Sequence, residues 1–344
     1  MPVLARHFIL DRPPFVECHA VTVAETRRGP LAAFFAGPYE RHPEVGIRTA
    51  LFDGERWLAS YEVANGLQPD GERFPTWNPV LFPLPDGELL LFYKVGPSPE
   101  TWWGMLLRST DDGRTWSEPE RLPDGILGPI KNKPILLADG TLLCPSSKEE
   151  PDGYHICFER SPDGGRTWES TGPLHPTGHP NVIQPTVFTL NDGSLLSFGR
   201  THHEGFTAET RSVDGGRTWS PVVLNSLPNP NSGLDGVTLR DGRHLLVYNH
   251  GVIPPGGWTQ RSPLNVTLSE DGTNWSAALI LESEEGEFSY PAVIQMRDGS
   301  VLIAYTWNRR NLVSVVLDPD QLVPVPIRDG VWPDGVPRVV TGAA

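Results

Sequence analysis

Six polar residues stand seven to ten positions ahead of six turn glycines, and no two of them are alike: His19, Asn78, Lys133, Gln184, Asp235 and Tyr290. Such a set can do chemistry. An imidazole titrates near neutral pH and can carry a proton, a phenol can attack carbon or transfer a proton, and an amide or ammonium can neutralise a carboxylate. A second set falls seven residues after the same glycines: Ala36, Lys94, Ser147, Arg200, Asn249 and Thr306, with His250 beside Asn249. Lys94, Lys133 and Arg200, with Lys131 and Arg261 nearby in the same alignment, bring basic groups to one place in a chain of 42 acidic and 28 basic residues. That concentration points to an anionic ligand.

The elements that must position these residues are repeats. The turns are Arg28-Gly29 (degenerate), Asp86-Gly87, Asp139-Gly140, Asp192-Gly193, Asp241-Gly242 and Asp298-Gly299, each followed by an apolar strand such as Leu89-Leu90-Leu91-Phe92 or Val301-Leu302-Ile303. Interleaved with them is a second motif. Ser109 to Trp116, Ser161 to Trp168 and Ser212 to Trp219 are full copies of Ser-x-Asp-x-Gly-x-Thr-Trp, Ser269 to Trp275 lacks one residue, and Asp53 to Trp57 is a remnant. Their tryptophans recur every 51 to 59 residues. In each copy the Asp is expected to bond nearby amides, the Gly to take a positive φ and the Trp to fold back over an apolar face, so these aspartates read as staples.

Two kinds of hairpin per unit make a four-stranded antiparallel sheet. Six units repeated radially make an all-β, six-bladed β-propeller, in which the first strand of each blade lines a central channel. The start of that strand faces one mouth. Four of the six channel residues precede proline, which favours extended backbone at a strand start. The repeat runs unbroken from about residue 15 to 317, so the 344 residues read as one domain. A strand over 4–11, or the last one over 312–317, is expected to complete a sheet begun at the other terminus, with 318–344 as a surface tail.

A formal net charge of −14 argues against nucleic acid or an anionic membrane as partner. There is no apolar run long enough to span a bilayer, and the first residues lack the pattern of a secretory signal, which makes the cytoplasm the expected location. Cys18, Cys144 and Cys157 read as buried thiols. No spacing of Cys or His fits a metal site, and no cofactor is expected.

These Ser-x-Asp-x-Gly-x-Thr-Trp boxes in a six-unit array resemble the sialidase superfamily over roughly residues 15–317. The resemblance implies a Tyr nucleophile activated by a Glu, an Asp acid/base and three arginines that grip a substrate carboxylate. Tyr290, in Ser289-Tyr290-Pro291, matches the nucleophile, and Arg200 and Arg261 match two of the arginines. Two positions depart. Cys18-His19-Ala20 stands where the family has Arg-Ile-Pro, and Gln184 stands in place of the Glu. An amide cannot take the phenol's proton, so His19, Asp235 or Glu287 is required as a base, with His19 favoured. For the acid/base, Glu40 and Glu44 occupy the corresponding loop.

The resulting expectation is an exo-glycosidase that removes a terminal acidic sugar: Tyr290 attacks, Arg200 and Arg261 hold the carboxylate, and Lys133, Asn78, Lys94, Asn249 and His250 complete the ligand surface. A second expectation is a polysaccharide lyase eliminating at a uronic acid, which needs no activated nucleophile and is more at ease with Gln184. A third is a sugar-binding propeller without chemistry.

Overall fold

A computed structural model of the chain describes residues 2–174, 180–252 and 261–339. Six antiparallel sheets make the blades of a propeller, and their innermost strands are Glu17–Thr26, Thr76–Pro83, Ile135–Leu136, Val182–Thr189, Asp235–Thr238 and Phe288–Gln295. The described residues contain almost no helix, only the 3-10 turn Pro319–Gln321. The turn glycines supply the geometry between the first and second strands: Gly87, Gly193 and Gly299 have φ of 93°, 83° and 95°, and the Asp before each accepts a backbone N–H two residues on.

The boxes close the hairpins between third and fourth strands. Asp214 accepts the N–H groups of Arg217 and Thr218 at 3.0 and 2.9 Å and the Thr218 hydroxyl at 2.6 Å, while the Ser212 hydroxyl donates to it at 2.9 Å. This ring of donors, led by the Thr218 hydroxyl, holds the Asp214 carboxyl down to about 2. The box tryptophans bind each blade to the one before it. Trp219 stacks on Phe158 of blade three at 3.7 Å, and Trp275 packs against Phe188 and Phe198 of blade four.

The ring is closed by strand Val3–Phe8, which pairs with Asn311–Leu317 as the outer strand of blade six. Arg6 fastens it to blade five through an ion pair with Glu282 at 2.8 Å, and Trp57 donates to Ser314 across the seam with blade one. Past residue 317 the chain adds strand Val325–Pro326 to the edge of blade five, and residues 340–344 lie outside the described ones. The three cysteines are free and buried. No helix of the described residues is long and apolar enough to cross a membrane.

One expectation fails in an informative way. Asn78, Gln184 and Tyr290 precede proline and should be extended, yet their φ values are 37°, 54° and 52°. In each case the pairing register shifts, so that the residue and its proline together face a single residue of the second strand. This is a β-bulge, and it places a large side chain in a left-handed conformation usually left to glycine. Blade one has the same bulge at Ala20, one residue past His19. The bulge turns these residues into the channel mouth, and the proline fits because the interrupted ladder asks no N–H of it.

Candidate active site

Tyr290 is the centre of the mouth. The residue is 8% exposed, and its ring packs on Gly233, where an added Cβ would come within 3.2 Å of it. Gln184 Nε2 and Arg200 Nη2 each donate to its hydroxyl oxygen at 3.2 Å. The Arg200, Arg261 and Lys131 cations stand 5.4, 5.6 and 5.7 Å from the ring centre, and the His19 ring is 4.2 Å away on the same phenol. The phenol oxygen thus sits amid positive charge.

The cations differ in how they are held. Arg200 is buried, leans on the Asn231 carbonyl at 3.3 Å and leaves its Nε without a partner. Arg261 is partly exposed, bonds Glu287 at 3.3 Å, and has its guanidinium pushed to a lower pKa by burial and by Arg200. Arg309 bonds Glu287 at 2.9 Å and also pairs with Glu40. Sequence reasoning missed Arg309. It sits on the hairpin joining the second and third strands of blade six, with φ of 54°, and hairpins at the rim are not indexed by counting from a turn glycine. Lys131 is buried and donates to Asn132 at 2.9 Å, to the Leu234 carbonyl at 3.0 Å and to the Pro291 carbonyl, and burial brings its ammonium down to about 7.

His19 does not titrate near neutrality, as its type had led us to expect. Burial first, then Arg309, Arg261, Arg200 and Lys131, push its pKa well below the usual value. Its Nδ1 bonds the Thr306 hydroxyl at 2.9 Å, and its Nε2 is buried with no hydrogen-bond partner. Gln184 also keeps an unpartnered atom, Oε1. Its backbone N–H donates to Ser147 at 3.1 Å. Ser147 and Thr306, residues of the second set, therefore form a layer that steadies Gln184 and His19 from behind.

Several residues read as ligand contacts are structural instead. Lys94 is fully buried beneath residues 127–130, donates to the Pro129 carbonyl and faces Glu159. Lys133 is joined to Asp235 at 2.9 Å, and Asp235 further accepts the Thr186 hydroxyl at 3.0 Å and the Val293 N–H at 2.9 Å, so this carboxylate ties blades three, four, five and six together. It has no capacity left to serve the phenol as a base. Asn249 donates to the carbonyls of Arg261, Pro263 and Phe288, which fixes the backbone that carries Arg261. His250 is held between the Tyr248 hydroxyl at 2.5 Å and the Gly330 carbonyl at 2.9 Å, under Trp332. Asn78 is buried at its bulge in blade two. Glu44 is an exposed carboxylate on the loop between Gly37 and Val45, 4.0 Å from His42.

One trio of the described residues brings metal-binding atoms within 4.8 Å of one another: Glu150, Asp152 and His155, on the second hairpin of blade three. The two carboxylates are exposed, and the His155 contacts at 3.4 and 3.9 Å are those of an ordinary His–carboxylate cluster.

Six blades stapled by Ser-Asp-Gly-Trp boxes, with a tyrosine set among arginines at one mouth, define a sialidase-type propeller. More particularly, the chain belongs to the family described as a BNR repeat-like domain, whose model matches residues 30–303. It is 26% identical over 200 residues to a sialidase of Bacteroides fragilis, covering 50% of this chain and 36% of that protein. Against a sialidase of Micromonospora viridifaciens it is 27% identical over 255 residues, covering 67% of this chain and 33% of that one. The chain thus spans about a third of the length of these curated relatives. A Dyadobacter fermentans protein of unknown function shares the fold with a TM-score of 0.75 at 19% identity, covering 92% of this chain and 98% of its own.

Proposed function

We propose that this protein hydrolyses the bond to a terminal acidic sugar, sialic acid or a related carboxylated sugar, with Tyr290 attacking the anomeric carbon. The observation that carries the reading is the phenol oxygen of Tyr290, which accepts bonds from Gln184 and Arg200 and lies beside Arg261 and His19. A guanidinium offers paired donors that match a carboxylate, and Arg200 and Arg261 have donors to spare.

The departures from the family pattern are met as follows. His19 is held neutral before substrate arrives by burial first and then by the four cations around it. A substrate carboxylate seated on Arg200 and Arg261 offsets that positive potential, and only then can the imidazole accept the phenol's proton. Gln184 orients the oxygen and exchanges no proton. Its amide in place of a carboxylate also favours a second reading, elimination at a uronic acid, in which Gln184 and Arg200 would neutralise the carboxylate and Tyr290 and His19 would move protons.

The intermediate separates the two. Hydrolysis through Tyr290 forms a glycosyl–tyrosine, so a fluorinated acidic sugar with a good leaving group is expected to add its mass to the peptide containing Ser289-Tyr290-Pro291. Elimination gives no adduct and a new absorbance from a C=C bond. Neither signal, across acidic glycans bound by the protein, would leave a sugar-binding propeller.

A further inference from the structure

We propose that Glu149 is the acid that protonates the departing sugar oxygen, in place of Glu40, which is engaged by Arg309, and of the exposed Glu44. The inference rests on the reading of the Tyr290 site as one that cleaves a glycosidic bond.

The face of strand Leu142–Glu150 that carries Glu149 is fixed by its neighbours. Leu143 packs against Val187 and Leu195 of blade four, and Ser147 accepts the Gln184 N–H at 3.1 Å. Residues at alternate positions of a strand share a face, so Glu149 continues this one, roughly 7 Å beyond Ser147 towards solvent. In blade four, Ile183, one residue before the Gln184 that Ser147 contacts, stands opposite Arg200. Opposite Glu149 in its own blade is Tyr154. The charged groups that face its carboxyl are Arg200, Glu100, Arg41 and Glu40. Glu149 is half-buried, and among the described residues no ion pair engages it. Burial raises its pKa, against Arg200 and Arg41 that lower it and with Glu100 and Glu40 adding to the rise, a direction that suits a proton donor. By contrast Glu40 is bound to Arg309, and the Glu44 side chain is 67% exposed.

The steps balance. As the Tyr290 oxygen bonds to the anomeric carbon and its proton passes to His19, the bond to the leaving oxygen breaks, its electron pair stays on that oxygen, and Glu149 supplies the proton. In the second step a water attacks the same carbon, Glu149 takes the water's proton, and the tyrosine oxygen leaves and recovers its proton from His19. One water is consumed and both residues return to their first state.

The test compares two leaving groups in the parent and in Glu149→Gln: sialyllactose, whose leaving alcohol needs a proton, and the 4-nitrophenyl glycoside of N-acetylneuraminic acid, whose phenolate does not. The variant is expected to lose about 10²–10⁴-fold on sialyllactose, the usual range for a general acid, and less than about tenfold on the aryl glycoside. The alkaline limb of its pH–rate profile is expected to disappear. Glu149→Asp, which keeps an acid, is expected to keep that limb, and this guards against a fold defect in the first variant. Equal losses on both substrates, or no loss on either, would overturn the assignment while leaving Tyr290 in place. A parent protein that cleaves neither substrate overturns the reading as a sialic acid hydrolase, and the Glu149 assignment falls with it.

Discussion

Replacing Lys94 with methionine tests whether this cation belongs to the fold or to the ligand. Lys94 and Glu159 are fully buried and face one another, with the ammonium donating to the Pro129 carbonyl and the carboxylate accepting from Leu127, Gly128 and Ser146. Burial brings the ammonium down to about 7 and the carboxyl up to about 7, as expected of two charges that only each other's presence makes tolerable. Lys94→Met keeps most of the length of the side chain and removes its charge. Breaking a buried pair from one side costs about 3–5 kcal/mol, and that is the loss expected in urea unfolding at pH 8. Without Lys94 the Glu159 titration rises further above its unfolded value of 4.5. A group whose folded pKa is raised gives stability that is lost as pH rises, so the deficit should shrink at pH 6, where Glu159 can take a proton. Removing both charges, in Lys94→Met with Glu159→Gln, should recover much of the loss. Stability equal to the parent together with a raised KM for an acidic substrate would refute the argument and return Lys94 to the binding surface.

Arg261→Lys is expected to raise KM for a carboxylated substrate by about tenfold with little change in Tm, because the ammonium cannot reproduce paired donors. Equal kinetics on free-acid and methyl-esterified substrates would show that no carboxylate is gripped there. Trp219→Ala is expected to cost about 2–4 kcal/mol, somewhat below the range for a fully buried aromatic, since the ring is half-buried on Phe158. Turnover per folded molecule should be unchanged, and a stable variant with lost turnover would move the box from staple to site.

The number of blades and their order were legible because Asp-Gly turns and Ser-Asp-Gly-Trp boxes are local devices whose geometry follows from residue type. The channel positions followed too, since a turn glycine counts off the strand beside it, and this count reached Gln184, Tyr290 and Arg200. It failed where another segment decides the fate of a side chain. Lys94 lies on the counted strand, but residues 127–130 cover it, and Asn249 and His250 are used up by backbone carbonyls that come from elsewhere in the chain. Glu149 stands two residues past the counted position, and Arg309 lies on a rim hairpin for which no turn signal provides an index. The left-handed bulges were hidden by a rule that holds for regular strands, that a residue before proline is extended.

The pairing of Val3–Phe8 with Asn311–Leu317 sets an order in time. On a ribosome the first strand emerges with nothing to pair with, and its partner follows some three hundred residues later. Until then, blade six lacks its two outer strands and the seam between blades one and six is incomplete, leaving Trp57 without Ser314. The entropic cost of closing so long a loop grows only slowly with its length, about 0.6 kcal/mol per doubling, so the delay is one of synthesis more than of thermodynamics. The site spans that seam, since His19 belongs to blade one and Tyr290 to blade six. A nascent chain therefore completes the seam that its candidate site spans only when this last pairing is made.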